Sequence, residues 1–238
     1  MTTDIFIRTY AGDVDWLPYC LASIAKYCHG FNAVYVACPK ADGLIVFPCV
    51  HRFHFHPVET FGEQPGYLCQ QATKMEADQW CRSPYIMYVD SDCVFTTENT
   101  PETHFRDGKP MMLVTPYEKV GEAICWKPLT ERMLGFECKY ETMRRHPSVW
   151  HRDTVARCAE HIRHFTGEPT IRRAVMKSGG FSEFNALGSW ALQFQSDRYC
   201  VINTEEPNAD IPPLVLKQFW SHSRITAEEK TWMKNVIA

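Results

Sequence analysis

No stretch of this 238-residue chain stays apolar for long. The longest apolar run, around LIVFPCV, falls far short of the ~20 residues that a bilayer-spanning helix needs. The N-terminal MTTDIFIRTY has neither a basic lead nor a long apolar core, so no secretory signal is read and a cytoplasmic location is the expectation. Charge of one sign is lacking as well. The formal net charge of −3 argues against a whole-molecule polyanion binder. Internal repeats and low-complexity linkers are absent. So is any C-x-x-C pair, although the chain holds 11 cysteines. That count is odd, and several cysteines sit inside apolar runs, such as Cys38 in VYVACP and Cys93 in VDSDCVF. They read as small buried hydrophobes in a reducing compartment rather than as a disulfide framework or a zinc site.

What is present is the balance of a folded globular protein, with 45% hydrophobic and 22% charged residues. The length fits one α/β domain over residues 1–238. Ile5, Phe6 and Ile7 read as a strand, Thr9 to Asp13 as a turn, and WLPYCLASIAKYC as a helix capped by Asp15. AVYVACP and CVHRFHFH read as further strands, and GYLCQQATKMEADQW as a helix. MMLVTPY is another strand. Residues 131–165 read as mostly helical, interrupted at RRHPSVWH by Pro147. This alternation implies a parallel sheet with crossover helices.

The segment YIMYVDSDCVF carries the chemistry. Its first five residues are mostly apolar without polar alternation, as in a strand buried on both faces. Asp90 and Asp92 follow at the strand's carboxyl end, where open α/β sheets bind ligands. Two carboxylates so close repel each other and lose hydration. A hard divalent cation, Mn²⁺ or Mg²⁺, would relieve both and would also bridge substrate phosphates. This segment resembles the D-x-D motif of GT-A-fold glycosyltransferases. IFIRTYAGDVDWLPYCLASI resembles their first strand and nucleotide-binding loop, and FSEFNALGSWA and FWSH extend the likeness. The resemblance implies a Rossmann-like α/β/α sandwich with a mostly parallel central sheet and a helical acceptor-side region. Its donor-binding half would span about residues 1–118, and its acceptor-side half about 119–238. It also implies transfer from a nucleoside-diphosphate sugar, a UDP-sugar first among them. Asp90 then approaches ribose and metal, Asp92 binds the metal, and Thr9, Tyr10 and Asp13 contact base and ribose. His222 is the expected third metal ligand.

Lys74 and Arg8 lie on segments expected near the donor. Gly179 and Gly180 are read as allowing close backbone approach to a ligand. Glu183, set among Phe181, Phe184 and Trp190, is the candidate acid or base, because an apolar setting favours proton transfer by a carboxyl group. Asn185 is the candidate for a sugar hydroxyl, and Trp150 and Trp190 for sugar faces. Between Lys139 and Lys177 nine Lys and Arg face four Asp and Glu, and Arg144, Arg145, Arg172 and Arg173 are its clustered bases. The acceptor is therefore read either as a saccharide or as DNA bearing a hydroxymethylated base, as in phage DNA hypermodification. A solvated basic face is the plainer reading of that stretch. Nucleotidyl transfer fits less well, since RTYAGDVDW lacks a basic, Gly-rich triphosphate loop. A non-catalytic nucleotide-sugar-binding protein is the remaining alternative.

Overall fold

The computed structural model describes residues 1–59, 66–143, 147–219 and 224–238. Its strands are β1 (Thr3–Arg8), β2 (Val34–Pro39), β3 (His54–Val58), β4 (Tyr85–Asp90), β5 (Cys93–Phe95), β6 (Phe105–Arg106), β7 (Lys109–Pro116), β8 (Tyr140–Glu141), β9 (Ser148–His151), β10 (Cys200–Asn203) and β11 (Leu216–Gln218). Its helices are α1 (Leu17–Tyr27), α2 (Gly43–Val50), α3 (Gly66–Lys74), α4 (Trp126–Leu134), α5 (Arg152–Thr166), α6 (Ile171–Ser178), α7 (Glu183–Phe194) and α8 (Ala227–Ile237).

The central sheet runs β3-β2-β1-β4-β9, with the first four strands parallel and β9 antiparallel at the edge. Alternate side chains leave opposite faces of each strand. Ile5, Ile7, Val36, Met87 and Val89 therefore pack with Leu17, Leu21 and Ile24 of α1. Phe6, Ala37, Ile86, Tyr88 and Trp150 pack on the other face with Leu68 and Ala72 of α3, Val155 of α5 and Leu187 of α7. Cover on both faces explains why these strands read as apolar runs. A smaller sheet joins β10, β7 and β6, with β8 on β7. The strand β11 pairs antiparallel with β5. The last helix closes on α1, where the Tyr27 hydroxyl donates to the Val236 carbonyl at 2.7 Å.

Several local expectations change. Asp15 does not cap α1. A 3-10 turn at Ala11–Asp13 leads into it, and the Asp13 carbonyl accepts the Trp16 N–H at 2.9 Å. Cys49 and Val50 end α2 rather than begin a strand, so β3 starts only at His54. Within residues 131–165, Ser148–His151 is a strand against β4, because SVWH offers a β-branched and an aromatic residue to an open sheet edge. That strand places Trp150 in the core, 2% exposed, with its indole N–H donating to Ser148 Oγ at 3.2 Å. Trp150 thus exposes little of its ring for a sugar face. Gly180 lies against the Leu129 side chain, and Gly179 (φ 69°) ends α6 in the left-handed region.

Candidate active site

The strand order reverses beside β1: β2 and β3 continue to one side and β4 lies on the other. Ligands of open parallel sheets sit at such a switch, outside the carboxyl ends of the strands. Arg8 and Asp90 end β1 and β4 as register partners there. The loops that follow are tied together, since Ser91 Oγ donates to Asp13 Oδ2 at 2.6 Å. Ala11 N–H donates to Asp42 Oδ2 at 3.0 Å. Thr9 is fully buried, and among the described residues its hydroxyl has no hydrogen-bond partner. The Tyr10 ring covers Gly12, where any Cβ would collide with it. The Arg8 guanidinium lies 5.7 Å from the centre of that ring.

Asp90 faces the α3 side, the same side as Tyr88 two residues earlier. There Lys74, at the end of α3, bridges Asp90 Oδ1 and Glu183 Oε1, each at 2.8 Å. Its ammonium also lies 4.8 Å from the centre of the Phe184 ring. Burial alone would pull Lys74 down. Asp90 and then Glu183 outweigh it, so its pKa is raised and the ammonium stays charged. Tyr88 locks the end of α3 by donating to the Lys74 carbonyl at 3.0 Å. Glu183 is 3% exposed and opens α7, whose N-cap is Ser182. The expected apolar setting of Glu183 is therefore only part of its surroundings, because the carboxylate is one arm of a buried ion pair.

Asp92 follows one residue beyond Ser91. Gln218 of β11 approaches both aspartates, its amide nitrogen 3.4 Å from Asp90 Oδ2 and 3.5 Å from Asp92 Oδ1. Two carboxylate oxygens thus converge on one neutral donor. Burial pushes the Cys20 thiol well up, and Asp92, Asp90 and Asp13 add to that rise, so three aspartate fields meet at one place. Among the described residues no three His, Cys, Asp or Glu side chains gather into a metal cage. A cation that keeps most of its ligands for water and substrate phosphates needs only one or two carboxylates. The converging pair fits that requirement. His222, and with it Arg144 and Arg145, lies outside the described residues.

The acceptor-side expectations separate. Asn185 is fully buried, and its Oδ1 accepts the Thr142 N–H at 2.8 Å, so it braces α7 rather than facing a cleft. Trp190 is also buried, 5.3 Å from the Phe194 ring. Arg172 pairs with Glu76 in the interior, and Arg173 and Lys177 both pair with Glu168. Arg172 is thus spent on an interior carboxylate, while Arg173 and Lys177 share a single one. Sequence reading missed Gln218, four residues before His222 in the same segment. It also missed Tyr67, whose ring is 46% exposed and 6.0 Å from that of Trp126. Burial raises the Tyr67 hydroxyl pKa, and Glu183 adds to the rise, which ties this aromatic pair to the charged cluster.

No family model matches the sequence, and no curated relative is found. Among solved structures the chain is similar to the galactosyltransferase LgtC, in complex with donor and acceptor sugar analogs. The match covers 98% of this chain and 95% of that one, at 10% identity and a TM-score of 0.56. The likeness shows the fold: a GT-A-like α/β architecture around a mostly parallel sheet.

Proposed function

We propose that the protein transfers a sugar from a nucleoside-diphosphate sugar to an acceptor hydroxyl, with a Mn²⁺ or Mg²⁺ ion held by Asp90 and Asp92. The observation that carries this reading is the convergence of both carboxylates at the switch between β1 and β4, with the buried Lys74 ammonium beside them. The fold shared with a galactosyltransferase supports it. A bound cation there supplies neutralisation of the leaving diphosphate. Arg8, Thr9, Tyr10 and Asp13 line the side toward β2 and are assigned to the nucleoside. Lys74 fixes the Asp90 carboxylate and holds positive charge at the donor. Glu183 acts through Lys74 as a positioning residue, since its Oε1 is already engaged and the side chain is buried. Tyr67 and Trp126 offer an aromatic surface suited to a sugar face, and a saccharide acceptor is favoured over DNA because Arg172 pairs inward with Glu76 and Arg173 and Lys177 are held by Glu168. Among the described residues no helix is long and apolar enough to cross a membrane.

Incubation with a panel of nucleotide sugars, Mn²⁺ and simple saccharides tests this, read as release of nucleoside diphosphate. Turnover of at least one donor, lost in Asp92→Asn, is expected. Inertness toward every donor would leave a binding protein in its place.

A further inference from the structure

The opposite end of β4 carries a second concave feature. Asp78, the turn Arg82–Pro84, His151, the first turn of α5 and Arg198 enclose a cavity of about 410 Å³. Register places His151 beside Tyr85, five residues from Asp90, so at ~3.3 Å per residue this cavity lies about 17 Å from the donor site.

We propose that this cavity is an anion site that takes a phosphate group, separate from the donor site. Arg82, Arg152 and Arg198 bring three guanidinium groups to its wall. Their planar forks suit the oxygens of a phosphate. The frame beneath them is fixed. The fully buried Asp4 accepts the N–H groups of Arg82 at 2.7 Å and Ser83 at 2.8 Å, and Ser83 Oγ donates to it at 2.8 Å. The Arg152 N–H donates to the Pro84 carbonyl at 2.8 Å, which pins the two arginine-bearing segments together. Arg198 is held by Asp153 Oδ2 at 2.8 Å and His151 Nδ1 at 2.9 Å. Arg82 and Arg152 make no ion pair among the described residues, so both guanidinium groups are available to a ligand.

Two carboxylates share the wall and set the conditions for binding. Asp153 is committed to Arg198 and to Arg157, at 2.9 Å. Asp78 is pushed up to about 6 by burial, against its own backbone hydrogen bond and Arg152, with Glu76 adding to the rise. His151 is pulled down, by burial first and then by Arg198, and adds no charge at neutral pH. Below about pH 6 Asp78 becomes neutral and the wall turns more positive, so anion binding tightens with acid.

Calorimetry on the full chain, without divalent cations, tests this. Sulfate serves as the probe for pH, because its charge is the same at both values, and inorganic phosphate and a sugar phosphate distinguish a free anion from one carried on a larger ligand. Sulfate is expected to bind several-fold more tightly at acid than at neutral pH, and this difference should shrink in Asp78→Asn, the remainder being the protonation of His151. The double variant Arg82→Ser/Arg152→Ser should weaken binding roughly tenfold or more, as expected for losing two charge-assisted contacts, while Asp92→Asn leaves it unchanged. The tighter of the two phosphates identifies the source of the anion. Absence of binding by all three anions, or binding that survives the double arginine variant, overturns the proposal.

Discussion

Removing the Lys74 ammonium would leave Asp90 and Glu183 facing each other across the buried gap that this cation bridges. Breaking a buried ion pair from one side costs about 3–5 kcal/mol, because the remaining charge is uncompensated. Lys74→Met is therefore expected to lower the denaturation midpoint sharply, whereas Lys74→Met/Glu183→Leu should recover part of the loss. A double variant no more stable than Lys74→Met would show that the pair does not act as a unit. At this scale Asp90 and Asp92 were legible as two carboxylates after an apolar strand. Their surroundings were less so. Lys74 and Glu183 are 109 residues apart, and Gln218 lies 128 residues from Asp90, so local spacing carries no sign of either contact. Glu183 stood out for its aromatic neighbours, but the cation against it comes from another element. His222 was chosen from a segment in which Gln218 meets both aspartates.

Among the elements, α7 decides where Glu183 sits. The helix is anchored by Thr142, whose N–H donates to Asn185 Oδ1 and whose hydroxyl donates to the Phe184 carbonyl, each at 2.8 Å. Gly188, one turn farther along, lets the helix lie directly on the Thr142 side chain, and a Cβ there would collide with it. Gly188→Ala should thus cost about 1–3 kcal/mol through overpacking. It should also reduce turnover more than its stability loss explains, because α7 carries Glu183 against Lys74. Wild-type stability in this variant would contradict the packing. Periodicity found α1, α3, α5 and the parallel strands, whose apolar runs follow from burial on both faces. It missed β9, where four residues beside Pro147 gain their strand form from pairing with β4. It also gave Asn185 and Gly180 to a ligand, although tertiary packing on Thr142 and Leu129 uses them.

For the whole molecule, the absence of paired cysteine spacing was informative, since all 11 cysteines are free thiols. The basic excess between Lys139 and Lys177 was less so. A count along the chain cannot show that Arg172 pairs inward with Glu76, nor that Arg82 and Arg198, outside that stretch, join Arg152 around one cavity. The fold brings chemistry to both ends of β4, with carboxylates and Lys74 at one and arginines at the other. At the first of these ends, Asp90 and Asp92 are proposed to hold a divalent cation against a diphosphate. Calorimetric titration of a nucleoside diphosphate into the protein, with and without Mn²⁺, tests it most directly. Binding is expected to depend on Mn²⁺ and to be lost in Asp92→Asn; equal affinity without the metal, or in that variant, would rule out a cation held by this pair.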